Sequence, residues 1–349
     1  MMFPVRRAHP AAALLVLVAG VLAVAGALSG CVSSPRDRQV AAAYYDLGNS
    51  YIQLGQYDKA VTAFQSAVQL DPGFVKAQYN LALAYVRVKK TDEAIALLKR
   101  LLVADPQNTQ VLSALGWAYH AAGKDEDALA QYTTVISLSP ADLNALYNSA
   151  IILWKLNRLR DASEKLSSLL SRAPDDTDAL YAAGSILLAL DEPQQSADML
   201  SRYLEKKAND SEAWFMVAAG AERMKKYSRA LEAYDKVIAI DASQGDAWFG
   251  EARLLLTVVE DPQRGLDALN KALSAGFKDA KAVQALLDSP GLLERDQVEA
   301  ALKAKGLLPG QAAASPSAPA APAPAPAPAA APASGAGTPP AATPPPAQK

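Results

Sequence analysis

Four prolines recur at a fixed interval of 34 residues, and this interval constrains the fold more than any other feature of the chain. The four prolines are Pro72, Pro106, Pro140 and Pro174. Other residues keep the same interval, namely Tyr51, Tyr85 and Tyr119, and Ala60, Ala94, Ala128 and Ala162. Such a period indicates one supersecondary unit copied in tandem, so the chain is predicted to fold as an array rather than around one compact core.

A single unit, residues 41–74, predicts two helices joined by a tight turn. Leu47 and Tyr51 share one helix face, because residues four apart lie on the same side of a helix. Gly55 is predicted to end the first helix in a left-handed conformation. Pro72 cannot extend the second helix and pushes Asp71 out of the helical region. Each unit is therefore predicted to be a helix, a turn and a second, antiparallel helix.

Two positions of the unit carry small residues throughout. The eighth position reads Gly48, Ala82, Gly116, Ala150, Gly184, Ala218 and Ala252. The twentieth reads Ala60, Ala94, Ala128, Ala162, Ser196, Ala230 and, after a slip of one residue, Gly265. Large side chains there would push the two helices beyond the usual spacing of about 8–10 Å. The two helices of a unit are therefore predicted to meet at these positions.

The pattern resembles the tetratricopeptide repeat family. That family has an aromatic at position 4, Leu-Gly at 7 and 8, Tyr at 11, Ala at 20, Phe or Tyr at 24 and Pro at 32. The matching residues of the first unit are Tyr44, Leu47, Gly48, Tyr51, Ala60, Phe64 and Pro72, and those of the third are Leu115, Gly116, Tyr119, Ala128, Tyr132 and Pro140. The resemblance covers about seven units over residues 41–278 and implies an all-α, right-handed superhelical solenoid.

The repeats depart from this pattern toward the C-terminal end. Alanines stand at Ala208 and Ala242, where proline is expected. The second helices of the fifth and seventh units begin with Glu192-Pro193 and Asp261-Pro262, an acidic N-cap followed by proline at the first helical position. These departures predict altered turns in those two units.

The first thirty residues read as a secretory signal. Arg6 and Arg7 precede an apolar run over residues 11–28, and small residues follow it. The sequence Leu28-Ser29-Gly30-Cys31 resembles the bacterial lipobox, which implies cleavage before Cys31 and its acylation. Cys31 is the only cysteine, so no internal disulfide is possible. An uncleaved membrane anchor is the alternative, since about 18 apolar residues is near the lower limit for spanning a bilayer.

These features predict five segments along the chain. They are a lipoprotein signal peptide at 1–30, an acylated cysteine and short tether at 31–40, seven repeats at 41–278, capping helices at 279–308 and a disordered Ala/Pro-rich tail at 309–349. The cap is expected from two short helices, Asp279–Leu287 and Arg295–Lys305, which would cover the apolar face of the last repeat. The tail contains almost only Ala, Pro, Ser, Gly and Thr, and it cannot form a core.

Charge and composition argue against nucleic-acid binding and against catalysis. The formal net charge is −2, and removal of the signal peptide takes away two arginines and no acid. No basic block remains to hold a phosphate backbone. His9 leaves with the signal, so His120 is the one histidine of the mature chain. No phosphate-binding glycine loop, metal-ligand cluster or nucleophile elbow is present, and neither an enzyme nor a cofactor or metal is expected.

The family resemblance places partner binding in a concave groove lined by the first helix of each unit. The fifth position usually faces this groove, and it is aromatic in six of the seven units, which suits an interface. Aromatic residues are also the common choice of the family at that position. The groove is predicted to be lined by Tyr45, Asn49, Tyr79, Ser113, Trp117, His120, Tyr147, Ile151, Trp154, Tyr181, Phe215 and Phe249. Trp117 and Trp154 are expected near Ser113. The two tryptophans either form a pocket for an apolar anchor of a partner, or fill the gap left by the small side chain of Ser113 and pack as core.

These readings predict an adaptor lipoprotein of the bacterial envelope. The lipobox resemblance implies anchoring to the membrane through Cys31. Val32 and Ser33 lack the aspartate that retains lipoproteins of enterobacteria-like systems in the inner membrane, so by the same resemblance the periplasmic face of the outer membrane is expected. Its partner would be an envelope protein or peptide, with no nucleic acid. A ligand-handling component that works with a solute receptor, through a cavity in the array, is the alternative function. A cell-wall spacer that uses the Ala/Pro tail is a third.

Overall fold

The fold is entirely helical over residues 33–308, which are the residues that the computed structural model describes. The predicted signal peptide, Cys31 and the Ala/Pro-rich tail lie outside this range. The described residues form sixteen helices, namely α1 (Pro35–Gln53), α2 (Tyr57–Leu70), α3 (Val75–Arg87), α4 (Thr91–Ala104), α5 (Thr109–Ala121), α6 (Asp125–Leu138), α7 (Leu143–Lys155), α8 (Leu159–Leu170), α9 (Thr177–Ala189), α10 (Pro193–Lys206), α11 (Ser211–Arg223), α12 (Tyr227–Ile240), α13 (Gly245–Thr257), α14 (Pro262–Ser274), α15 (Ala280–Leu287) and α16 (Arg295–Ala304). The first fourteen form seven helix pairs.

The chain divides into two compact units, Met1–Gln131 and Tyr132–Lys349, and the division falls within α6. In the N-terminal unit, α2 packs against α1 and α3, and α4 packs against α3 and α5. In the C-terminal unit, consecutive helices from α7 to α14 pack in the same way. This succession of neighbouring antiparallel helices confirms the predicted all-α array of about seven repeats.

The turn inside each helix pair is made by a residue with positive φ. Gly55 has φ of 68°, which confirms its predicted left-handed conformation. Gly123 does the same in the third pair, and the remaining turns place residues with side chains in this region, although only glycine adopts it without steric cost. The complete set is Gly55, Lys89, Gly123, Asn157, Asp191, Lys225 and Glu260. The last of these comes one residue late, which matches the slip seen in the sequence.

Helix α2 ends as the position of Pro72 predicts. Its last residue is Leu70, and Asp71 has φ of −133° and ψ of 88°, outside the helical region. The Asp71 N–H still donates to the carbonyl of Ala67. The residue before a proline is disfavoured in the helical conformation because the proline ring would clash with it.

The small positions are the places where the two helices of a pair meet. A Cβ added to Gly48 would lie 2.4 Å from the ring of Phe64 on α2. In the fifth pair the buried Ser196 Oγ donates to the carbonyl of Gly184 at 2.7 Å, so the eighth and twentieth positions are in direct contact. The prediction that the two helices of a pair meet at these positions is confirmed.

Two tryptophans accompany the missing prolines. The indole N–H of Trp214 donates to the carbonyl of Ala208 at 2.9 Å, and that of Trp248 donates to the carbonyl of Ala242 at 3.0 Å. Each hydrogen bond connects the loop between two repeats to the first helix of the following repeat. The loop therefore has a hydrogen-bonded constraint where other repeats have a rigid ring.

The prediction of altered turns holds for one of the two units. In the fifth pair, Asp191 has φ of 61° and Glu192 has ψ of 63°, as in the other pairs, and Glu192 makes no side-chain capping bond. The turn keeps the geometry of the other pairs because the proline occupies the first helical position, where a backbone N–H would have no partner within the helix. In the seventh pair the turn is one residue longer, and Asp261 accepts from the N–H of Arg264.

The predicted tether is shorter than the sequence suggested. Helix α1 begins at Pro35, so residues 35–40 are helical and not a linker. Ser34 and Asp37 form a reciprocal capping box, with the Ser34 hydroxyl accepting from the Asp37 N–H at 3.1 Å. This box and a proline at the first helical position start the helix early.

The C-terminal cap is present as predicted. Helices α15 and α16 begin and end within one residue of the predicted bounds, and α16 packs against α14. Four of their aliphatic side chains are completely buried in the same cluster as Leu269 and Phe277, namely Val283, Leu286, Val298 and Leu302. The apolar face of the last repeat is therefore covered by the chain itself.

A buried carboxylate lies in the last repeat. Glu251 on α13 is 5% exposed, its Oε1 accepts from Arg264 at 3.0 Å, and its Oε2 has no hydrogen-bond partner within the described residues. Burial raises the pKa of Glu251, Asp235 raises it further, and Arg264 opposes the shift. The corresponding residues of the first three repeats are leucines.

We therefore expect Glu251→Leu to raise the melting temperature at neutral pH, because a buried ion pair is often less stabilising than an apolar replacement. A raised pKa means that the stability contribution of Glu251 is present below about pH 4, the range of an ordinary glutamate, and is lost as pH rises through the raised value. The gain from Glu251→Leu should accordingly shrink as pH falls toward 4. Thermal unfolding at several pH values measures it, with the exposed Glu232→Leu as the control that should show no such dependence.

Candidate functional site

The fifth-position aromatics of the first repeats lie at the edge of the core. The ring of Tyr45 is half-buried, with its centroid 5.8 Å from that of Phe64 and 5.1 Å from that of Phe74. The side-chain amide of Asn80 donates to Asn49 Oδ1 at 2.8 Å and to Tyr45 Oη at 3.3 Å. One hydrogen-bonded cluster therefore spans the first helices of two neighbouring repeats.

Trp117 in the third repeat is also half-buried, and a cation covers it. The guanidinium of Arg87 lies 5.0 Å from the Trp117 ring centroid and 5.8 Å from that of Tyr57. This distance is typical of a cation–π contact. Tyr79, one repeat earlier, is half-buried, and burial raises the pKa of its hydroxyl.

His120 has a specific acidic neighbour. Its Nδ1 lies 2.5 Å from Asp125 Oδ1 at the start of α6, and both side chains are largely buried. The contact closes the turn between α5 and α6.

The residues of the predicted central pocket belong to different units. Ser113, Trp117 and His120 lie in the N-terminal unit. Tyr147, Ile151 and Trp154 lie in the C-terminal unit, where Ile151 is buried at 2% exposure. The choice between an open pocket and a packed core around these tryptophans stays a prediction.

Tyrosines of the C-terminal unit have carboxylates near their hydroxyls. The rings of Tyr181 and Tyr203 are 5.2 Å apart, and Tyr203 Oη donates to Asp210 at 2.7 Å. Burial is the largest cause that raises the pKa of Tyr181, and the nearby carboxylate of Glu212 raises it further. Burial raises the pKa of Tyr147 to about 12, with Asp178 and Asp176 adding to the shift. These hydroxyls remain protonated and can donate hydrogen bonds at neutral pH.

The last two fifth-position aromatics differ from each other. Phe215 is half-buried, with its ring centroid 5.7 Å from that of Tyr234. Phe249 is 4% exposed and stacks on Phe277 at 4.0 Å between centroids. The structure therefore places Phe249 in the core, because Phe277 from the segment after α14 covers it.

An acidic row at the second position of the unit escaped the sequence analysis. Asp178, Glu212 and Asp246 are exposed and recur every 34 residues along α9, α11 and α13. The equivalent residues of the first four repeats are Ala42, Lys76, Gln110 and Asn144, none of them acidic. The same 34-residue register that revealed the aromatics would have revealed this row.

Within residues 33–308 no group of three or more His, Cys, Asp or Glu side chains is arranged to hold a metal ion. Nor does any helix in that range combine the length and apolar character needed to cross a membrane. The first helices instead offer half-buried rings, amide groups and carboxylates, which are the components of a protein-binding surface.

A family model for the tetratricopeptide repeat matches the sequence at residues 45–109, 79–143 and 147–213. The matches follow the helix pairs of both units. The chain is a tetratricopeptide repeat protein. Proteins with this repeat typically act as non-enzymatic scaffolds for protein–protein interaction, and the tetratricopeptide resemblance drawn from the motif residues is confirmed.

Solved structures of other tetratricopeptide repeat proteins share the fold. The C-terminal part of a repeat protein from Cytophaga hutchinsonii aligns with a TM-score of 0.60 at 16% identity, over 69% of this chain and 99% of its own. YrrB, a TPR protein with an unusual peptide-binding site, aligns with a TM-score of 0.50 at 20% identity, over 54% of this chain and 96% of its own. PilW, a type IV pilus biogenesis factor, aligns with a TM-score of 0.50 at 17% identity, over 58% and 93%. No curated protein matches the sequence.

Proposed function

We propose that this tetratricopeptide repeat protein is an adaptor of the bacterial envelope that binds extended segments of partner proteins along its first helices. The observation that carries the proposal is the set of half-buried rings at the fifth position, among them Tyr45, which accepts a hydrogen bond from Asn80, and Tyr181, which has Glu212 beside it. Tyr45 and Tyr79 belong to the N-terminal unit, and Tyr147, Tyr181 and Phe215 belong to the C-terminal unit. Rings held in place by core contacts offer large contact area at little cost in side-chain entropy.

The polar groups beside the rings match the needs of an extended peptide. Asn49 and Asn80 lie together next to Tyr45, and amide side chains both donate and accept, as a peptide backbone does. In the C-terminal unit the exposed carboxylates of Asp178 and Glu212 flank the tyrosines. A partner segment with lysine or arginine is therefore favoured in that unit, and binding there should weaken as salt rises.

The envelope location is part of the same proposal and rests on the sequence. The charged start, the apolar run and the Leu28-Ser29-Gly30-Cys31 sequence support export followed by acylation of Cys31. Helix α1 begins only four residues after Cys31, so an anchored protein would hold its first repeat next to the membrane. We expect wild-type protein to fractionate with membranes and Cys31→Ser to lose the acyl mass and the membrane association.

Site-specific photo-crosslinking in cells tests the binding surface. A photoreactive residue at Asn49 or Asp178, on first helices, is expected to crosslink partner proteins that mass spectrometry can identify. Glu93 on α4 and Asp198 on α10 are exposed second-helix positions and provide matched controls. Equal crosslinking at both sets of positions, or none on the first helices, would contradict the proposal.

A further inference from the structure

Helix α1 and its C-cap residue carry an apolar stripe that is largely exposed within residues 33–308, with Lys59 Nζ 5.6 Å from the centroid of its Tyr51 ring. The stripe consists of Val40, Tyr44, Leu47, Tyr51 and Leu54. Four of its members rank among the exposed large apolar residues, with Leu47 at 42% and Leu54 at 66% exposure. The opposite side of α1 packs against α2, where Ala41 and Gly48 are buried.

In the following repeats the equivalent surface is an interface between repeats. Leu81 and Leu115, which correspond to Leu47, are 5% and 3% exposed. Helix α3 presents this surface to α2, where Gln65 donates to the Tyr85 hydroxyl at 2.9 Å. The stripe on α1 is therefore a surface of the kind that elsewhere in this chain packs against a neighbouring helix.

The spacing of the stripe suits pairing with another helix. Its members are separated by steps of four, three, four and three residues, the spacing of the apolar seam in two-stranded coiled coils. The flanking residues Ala43 and Ser50 are small and exposed, so a second helix can approach closely. The order aliphatic, Tyr, Leu, Tyr, aliphatic reads the same in both directions.

We next consider whether the C-terminal end of one copy covers the α1 stripe of another copy. The last repeat is already covered by α15 and α16, so in the described residues it lacks the uncovered first-helix surface that α1 presents. Within residues 33–308, the stripe on α1 groups four of the exposed large apolar residues on one surface. An interface of one patch with the same patch closes as a two-fold dimer and does not grow into a fibre.

We propose that α1 is a dimerisation helix whose stripe packs against the same stripe of a second copy of this chain. Leu47 is the middle member and would face its own copy across the two-fold axis, whether the helices run parallel or antiparallel. Residues 1–30 also carry an apolar run that could cover the stripe, unless the signal peptide is removed as proposed above.

Cysteine crosslinking in cells tests the contact directly. With the full chain and copper phenanthroline as oxidant, Leu47→Cys is expected to give a disulfide-linked dimer. The wild-type chain controls for crosslinking through Cys31, and Val103→Cys, at an 84% exposed apolar position on α4, controls for random collision. Equal crosslinking in the Val103→Cys control, or crosslinking of Leu47→Cys to a different protein, would overturn the proposal.

Sedimentation of the purified chain provides the second measurement. We expect a concentration-dependent dimer whose dissociation constant rises at least about tenfold in Leu47→Glu and is unchanged in Val103→Glu. The circular dichroism of the Leu47→Glu monomer should stay as in wild type, and its melting temperature should match that of wild type at concentrations at which wild type is monomeric, since Leu47 is exposed in the monomer. A wild-type monomer overturns the proposal.

Two further measurements then identify the other occupant of the stripe. If Leu47→Glu loses binding to phosphatidylglycerol vesicles, the stripe is a membrane contact. If Leu47→Cys reacts with a thiol probe only after residues 1–30 are deleted, that segment is the occupant.

Discussion

Truncation of one side chain in the C-terminal cap, Leu302→Ala, is expected to lower the free energy of unfolding by about 2–5 kcal/mol. Leu302 on α16 is completely buried and packs in a cluster with Leu269, Phe277 and Val298. Removal of its outer carbons loses their burial and leaves a cavity that the surrounding helices can only partly close. Urea or thermal unfolding monitored by circular dichroism measures the loss.

Lys303→Ala is the matched control for this prediction. Lys303 is the next residue of α16 and is exposed, so its truncation should change the free energy of unfolding by less than about 0.5 kcal/mol. If Leu302→Ala were as mild as Lys303→Ala, α16 would not stabilise the last repeat. The cap would then be an appendage, and the argument that it closes the far end of the array would fail.

The repeat register predicted most of the fold because each repeat makes the same contacts. A small residue at Gly48 and a large one at Phe64 are contacts between neighbouring helices, and their spacing along the chain reports them directly. The start of α1 was missed because it lies before the first full repeat. Ser34 and Asp37 form a local capping box, which the 34-residue period does not reveal.

The candidate site was predicted less completely than the fold. The fifth-position aromatics were found, but their exposure depends on residues outside the register, as Phe277 shows by covering Phe249. The asparagine cluster was half predicted, because Asn49 was placed in the groove while its partner Asn80 lies in the next repeat. Contacts of this kind need coordinates, since a single repeat does not contain both partners.

The first and last repeats differ in whether their outer apolar face is covered, and the burial of apolar surface explains both cases. A first helix in this array needs a helix on its outer side to bury positions such as Leu81. The last repeat obtains such cover from α15 and α16, whereas α1 keeps its stripe exposed within residues 33–308. A chain that caps one end and leaves the other apolar retains one surface for association.

Gly184→Ala and Gly220→Ala are expected to change stability in opposite directions, although both place alanine in the interior of a first helix. A Cβ at Gly184 would lie 2.6 Å from Leu200 Cγ, and Leu200 is completely buried. At Gly220 the nearest atom is Leu188 Cδ1 at 3.6 Å, an ordinary van der Waals contact. Alanine relieves the conformational cost of glycine in both helices, by about 0.5–1 kcal/mol.

The clash decides the sign at Gly184. Because the contacted atom is the branch point of a buried side chain, α9 and α10 must separate, and overpacking of this kind costs about 1–3 kcal/mol. We expect Gly184→Ala to lower the free energy of unfolding and Gly220→Ala to raise it, with a difference of about 1–3 kcal/mol between the variants. Urea unfolding of both variants measures this difference. If the two variants shifted together, helix propensity rather than helix spacing would govern the eighth position, and the physical reason for its small residues would be refuted.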